Sequence, residues 1–253
     1  MRNLAACALL IALNAASAMA ADGIAYQVQT TRSADVDKNQ TYTVVTSGDR
    51  ARASVIDGPS GEGVVYDVLL RADRSGIIAL NTRNRTWYEL EPANPFALNS
   101  RFLDPVYQGK ARKVRVRLDP PVLEPPQRHY SGEISYEVHI SYGRNHLKVS
   151  CVASFQVSTT DAFDRGHWLG PLLPETGHPA VDAEMRKAEA SIAGFPVQMS
   201  LDAQRTYEGG PAMHEMVRIT VTDLRETAAE DAAFVRPADY REQKPVRSAA
   251  GVE

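Results

Sequence analysis

Hydrophobic and polar residues alternate with a period of two over most of the chain. In "ISYEVHISY" (134–142), Ile134, Tyr136, Val138, Ile140 and Tyr142 point one way and Ser135, Glu137, His139 and Ser141 the other. "LKVSCVASFQV" (147–157) continues the pattern, with Leu147, Val149, Cys151, Ala153, Phe155 and Val157 on one face. Both segments read as half-buried antiparallel strands, joined by a turn at Gly143, Arg144 and Asn145. "VQMSLDA" (197–203) and "VRITVTDL" (217–224) repeat the alternation, separated by Gly209-Gly210-Pro211. The first half predicts shorter strands at 24–31, 40–47, 50–57, 64–71, 76–82 and 85–90, and another at 112–118. Eleven strands in sequential hairpins predict a mainly β fold: one large, strongly curved antiparallel sheet.

Two segments break the period. Residues 179–193 follow helical spacing, with Pro179 fitting the first position and Gly194 the stop. Val181, Met185, Ala188 and Ile192 form a narrow apolar stripe, opposite Asp182, Arg186, Lys187 and Glu189. A weaker helical piece is expected near 94–107, and "DPPVLEPPQ" (119–127) reads as an extended connector. Before the helix, "GHWLGPLLPETGHPAV" (166–181) is apolar yet too rich in Gly and Pro for regular structure. Helix and loop together predict a cover over the concave face of the sheet. Its apolar residues either complete the core or line a cavity. For the cavity, the candidate lining is Trp168, Leu169, Leu172, Leu173, Met185, Ile192, Phe195 and Met199, since methionine and aromatic side chains suit adaptable apolar walls. Gly177 and Gly194 are the candidate hinges.

The N-terminus changes the setting. Arg2, an apolar run from Leu4 to Leu13, and Ala18-Met19-Ala20 make a cleavable export signal over 1–20. A single β domain is then expected over 21–240 and a loose polar tail over 241–253. The apolar run is short and interrupted at Asn14, so the mature chain is expected to lack a transmembrane segment and to be periplasmic. Export removes Cys7 and leaves Cys151 alone, without a disulfide partner. Of 28 basic and 31 acidic residues the signal takes only Arg2, leaving 27 against 31 and a net charge of −4. That balance gives no general attraction to nucleic acid.

Chemistry-bearing motifs are sparse. None of the six histidines, His129, His139, His146, His167, His178 and His214, sits in a metal-binding pair, so no metal or other cofactor is predicted. Cys151 shares the inward phase with Val149 and Phe155, which argues against an activated nucleophile. There is no GxSxG elbow, phosphate loop or dinucleotide fingerprint. A non-enzymatic protein is therefore expected. Lys113, Arg115 and Arg117, extended by Arg112, form a basic stripe, read either as an anion patch or as cross-strand partners of Glu133 and Glu137.

Three stretches carry a family resemblance: "RTWYELEP" (85–92), "GFPVQMSLDAQRTY" (194–207) and "FVRPADY" (234–240), the last with Phe234, Pro237 and Tyr240 in a Phe-x-x-Pro-x-x-Tyr ending. With them the chain resembles an uncharacterised bacterial periplasmic family of the lipoprotein-localisation (LolA/LolB-like) superfold. The resemblance implies an incomplete β-barrel whose helices cap an apolar cavity for lipid or lipoprotein acyl chains. The expected partner is accordingly a hydrophobic ligand. The other reading is an envelope protein docked on a scaffold with a filled core.

Overall fold

The computed structural model describes residues 23–33, 39–57, 66–70, 77–90, 110–142, 145–173, 176 and 178–243. The export signal with Cys7, the helical piece at 94–107 and the hinge at Gly177 lie outside them. Six strands come first: β1 (Gly23–Arg32), β2 (Gln40–Ser47), β3 (Arg50–Asp57), β4 (Tyr66–Leu70), β5 (Ile77–Asn81) and β6 (Thr86–Leu90). Next are β7 (Lys110–Leu118), β8 (Val122–Glu124), β9 (Gln127–Tyr142) and β10 (Asn145–Thr160). The helix α1 (Pro179–Glu189) precedes β11 (Phe195–Tyr207), β12 (Ala212–Thr227) and β13 (Arg241–Glu242).

All these strands belong to one sheet, in the order β13-β6-β5-β4-β3-β2-β1-β12-β11-β10-β9-β7, with β8 also paired to β9. Two runs of hairpins are thus sewn together by β1 and β12, which lie at opposite ends of the chain. Their antiparallel register runs from Gly23 opposite Thr227 to Arg32 opposite Val217. The sheet is antiparallel apart from the β13–β6 pair, and its two ends do not meet, so the barrel is incomplete. The mainly β, helix-capped class read from the alternation is the class observed.

Burial follows the pleat. On β10, Val149, Cys151, Ala153, Phe155 and Val157 are buried while Val152, Ser154 and Gln156 are exposed. Cross-strand neighbours continue this face: Ile134 opposes Ala153, which opposes Ala203, and Val157 opposes Met199. Gly132 opposes Phe155 because nothing larger fits. A Cβ there would lie 2.2 Å from the Arg117 carbonyl oxygen and 2.3 Å from the Phe155 ring.

The structure corrects the sequence reading in four places. The Pro-rich connector is not simply extended: Val122–Glu124 pair with the start of β9 around a turn at Pro125 and Pro126. The polar tail begins with an ordered pair, since Arg241 and Glu242 lie parallel to Thr86 and Trp87. These two short strands account for the difference from the eleven predicted. The helix ends at Glu189, not 193. Gly194 instead takes φ +84° at the entry to β11, where a Cβ would lie 2.9 Å from the Thr160 carbonyl oxygen. Finally Asp182, assigned to the solvent face of the helix, is buried.

Candidate apolar site beneath the helix and loop

The link between β10 and β11 is the cover. It opens with a single 3₁₀ turn at Arg165–His167, capped by Asp164, whose Oδ1 accepts from the Gly166 amide at 2.7 Å. Arg165 Nη1 donates to the Glu189 carbonyl at 3.0 Å and also to that of Ile192, tying the loop to the end of α1. His167 anchors the turn to the first half of the sheet. Its carbonyl accepts from the Tyr26 hydroxyl at 3.0 Å, and its Nδ1 is hydrogen-bonded to Thr46 Oγ1 at 2.8 Å. At the far end the Ala193 amide donates to the Tyr130 hydroxyl at 3.1 Å, on β9. The cover therefore bridges both hairpin runs through side chains.

Apolar packing lies inside this frame. The Trp168 ring stacks on Tyr26, with centroids 5.9 Å apart, and meets Phe195 edge-on at 5.9 Å. Tyr26 and Phe195 close the triangle at 5.2 Å. Leu172 and Leu173 are buried beside them, and the Leu173 amide donates to Glu189 Oε1 at 2.5 Å. From α1, Val181 and Met185 point inward, followed by Ile192, as the stripe predicts. Seven of the eight candidate lining residues, Trp168, Leu172, Leu173, Met185, Ile192, Phe195 and Met199, belong to one buried cluster with the sheet, and Leu169 packs on it half-buried. In this structure they pack with one another and with the sheet.

The N-terminal end of α1 is polar inside. Asp182 Oδ1 accepts from both the amide and the hydroxyl of Thr176, each at 2.8 Å, which explains its burial. The His178 ring tilts onto Tyr136 at 5.8 Å. His167 and His178, which flank the apolar loop in sequence, thus engage different strands, β2 and β9.

Beneath lies a polar row that sequence reasoning missed. Tyr136, Cys151 and Arg205 are consecutive partners across β9, β10 and β11 on the inner face. Arg205 Nη2 meets Glu215 Oε2 at 2.5 Å, and Glu215 Oε1 meets Arg32 Nη1 at 3.4 Å. The side chains of Arg32, Arg205 and Glu215 are 6%, 10% and 13% exposed. Burial pushes the Tyr136 hydroxyl and the Cys151 thiol up, so both stay protonated. The signal was present: Arg205 continues the inward phase of Leu201 and Ala203, and Glu215 that of Val217, Ile219 and Val221. Among the described residues, no three metal-ligating side chains converge, and no helix is long and apolar enough to cross a membrane.

No family model and no curated protein matches the chain. Among solved structures it is similar to an uncharacterised conserved protein from Thermus thermophilus, at 10% identity over 88% of this chain and 91% of that one, with a TM-score of 0.38. It is also similar to a LolA superfamily protein from Nitrosomonas europaea, at 10% identity over 85% of this chain and 91% of that one, with a TM-score of 0.33.

Proposed function

We propose that the chain is an exported, periplasmic, non-enzymatic binding protein that takes an apolar ligand, a lipid or a lipoprotein acyl chain, between its sheet and the helix–loop cover. One observation carries this reading: a wall of the core, from Trp168 to Ile192, comes from a segment that contributes no strand to the sheet. Burying an apolar side chain stabilises by about 1.5–3 kcal/mol. The six buried cover residues Trp168, Leu172, Leu173, Val181, Met185 and Ile192 therefore hold it down with on the order of 10 kcal/mol. A sixteen-carbon chain at ~0.8 kcal/mol per CH₂ supplies about 12 kcal/mol. The two quantities are comparable, so an acyl chain can replace the cover's own side chains at small net cost. A ligand too short to supply that energy leaves the cover shut.

The test is uptake of a fluorescent fatty acid, with mass spectrometry of an organic extract of protein purified from its native compartment. Bound lipid and saturable uptake are expected. Leu172→Glu should abolish uptake while the sheet keeps its far-UV circular dichroism. A second reading, an envelope scaffold with a filled core, is favoured by the closed packing of Trp168, Tyr26 and Phe195. Clean extracts, no uptake, and unfolding of the Leu172→Glu variant would establish it instead, and crosslinking in cells would then identify the docked protein.

A further inference from the structure

The face of the sheet turned away from the core carries a different feature. We propose that the groove between β7, β9 and β10 on this outer face binds a phosphate group carried by a small soluble ester or a lipid head group. The groove has a volume of about 260 Å³ and is lined by Lys113 and Arg115 from β7, Ser135 and Glu137 from β9, and Ser150 and Val152 from β10. Ser135 and Glu137 alternate with buried Ile134 and Val138, which places the groove on the outer face, and Tyr136 and Cys151, buried beneath, also border it.

Charge is unbalanced there. Lys113 Nζ and Lys148 Nζ converge on a single oxygen, Glu137 Oε1, at 3.1 and 3.0 Å. The other oxygen, Oε2, lies 3.5 Å from His139 Nε2. Hydrogen bonds from Lys148 and then Lys113 draw the Glu137 carboxyl down to about 2, so it stays ionised and holds both ammonium groups in place. Arg115 lies opposite Ser135 in the register, and among the described residues it makes no ion pair. The next carboxylate along β9, Glu133, is taken by Arg117 at 3.2 Å. The two sequence readings of the stripe thus divide between residues: Lys113 and Arg117 are paired across strands, and Arg115 is left to the groove. Lys113 and Arg115 in the groove, with Lys148 beside it on the shared Glu137 carboxylate, give an excess of two positive charges, matching a phosphate monoester near its dianionic form.

The backbone supports a built site rather than a chance cluster. The β7–β9 register shifts between Arg112 and Arg115, and Lys113 takes φ +54°, a conformation rare for lysine. Bulges re-aim side chains and strained residues collect at binding sites. Here the bulge keeps both Lys113 and Arg115 on the groove, and Ser135 on β9 and Ser150 on β10 add hydroxyl-bearing side chains to its lining. The volume suits a phosphate with a small substituent, and an acyl chain would be too large for it.

The experiment titrates the full mature chain with inorganic phosphate and glycerol 3-phosphate by calorimetry. In parallel it sediments the chain with vesicles of phosphatidic acid, whose head group is a phosphate monoester, or of phosphatidylcholine alone. Saturable binding that weakens with salt is expected, reduced at least about tenfold by Arg115→Gln and abolished when Lys148→Gln is added, with the thermal melt unchanged. Binding of glycerol 3-phosphate without vesicles assigns a soluble ester, and sedimentation only with phosphatidic acid assigns a head group. No binding of any probe, or binding unaffected by the double variant, would overturn the proposal.

Discussion

The sheet is covered twice, and the two covers are built on different physics. The inner one, from Trp168 to Ile192, buries Trp168, Leu172, Leu173, Val181, Met185 and Ile192 against the sheet, while Arg186, Lys187 and Ala190 on its other side are exposed. The outer one is the chain after β12. Its 3₁₀ turn at Asp231–Phe234 puts Phe234 under the Arg50 guanidinium at 4.9 Å, while Arg52 Nη1 donates to the Ala233 carbonyl at 3.1 Å. Arg236 then lies over the Trp87 ring at 4.2 Å, and Asp239 reaches Arg85 at 3.4 Å. The strap ends in backbone pairing, with the Gln243 amide donating to the Trp87 carbonyl at 2.7 Å. The hydrophobic effect fastens the inner cover, whereas the outer strap depends on arginine–aromatic contacts, exposed ion pairs and main-chain hydrogen bonds. Each inner contact is worth more than each outer one. The contrast shows that a segment outside the sheet is not movable or fixed by virtue of its position alone. What decides is whether another molecule can supply the interactions that hold it, and in the function we propose an acyl chain does so for the inner cover.

The largest effect is expected at the junction of the inner cover with the sheet. Phe195 is fully buried and its ring touches those of Tyr26, Phe163 and Trp168. Phe195→Ala should cost about 3–5 kcal/mol, read as a lower urea midpoint with an unchanged slope. A cost below about 1 kcal/mol would mean that the aromatic cluster does not fix the cover, and the comparison would fail on its inner side.

The polar row separates two ways in which the inner cover can be held. Glu215→Met alone takes the shared carboxylate from both Arg32 and Arg205 and should cost about 3 kcal/mol or more, because breaking a buried ionic cluster leaves charge uncompensated. Replacing Arg32, Glu215 and Arg205 together by apolar residues of similar volume should be close to neutral in chemical denaturation. If the triple replacement is as damaging as the single one, the row is structural cement, and the cover rests on charge as well as apolar contact.

Legibility in the sequence followed the same division. β9, β10 and β11 could be read because one face of each is buried over many residues, and burial writes itself as alternation. The apolar stripe of α1 was readable for the same reason, whereas the sequence left open whether Trp168, Leu172 and Leu173 complete the core or line a cavity. The end of α1 was overrun because Ala190 keeps a helical conformation after the last helical residue, and an alanine there gives no stop signal. β8 was hidden by the prolines on either side of it, which bar a central strand yet permit a three-residue edge. Arg205 and Glu215 carry the inward phase of their strands, but alternation does not say that two charges on one face pair with each other, and Asp182 escaped because helical spacing does not register a hydrogen bond to Thr176 in the preceding loop. The Phe-x-x-Pro-x-x-Tyr ending was visible, but its attachment to Arg50, Trp87 and Arg85 was not, since those partners lie some 150 to 180 residues earlier.

The smallest effect is expected in the strap, and it tests the outer side of the comparison. Arg236 is exposed, and its contact with Trp87 is the kind of cation–π pair worth about 0.5–1 kcal/mol when solvated. Arg236→Ala should therefore leave the global urea midpoint nearly unchanged. Locally, the Gln243 amide bonds the Trp87 carbonyl directly beneath that contact, so its hydrogen exchange should quicken while amides in β10 and β11 keep their protection. Raising salt should quicken the same amide in the unaltered chain, because the Arg50–Asp231 and Arg85–Asp239 pairs are exposed and screened. Apolar contacts do not weaken in that way, so the inner cover should not respond. If Arg236→Ala instead lowered the midpoint as much as Phe195→Ala, the strap would be a second wall of the core, and nothing in its chemistry would distinguish it from the cover that we propose yields to a ligand.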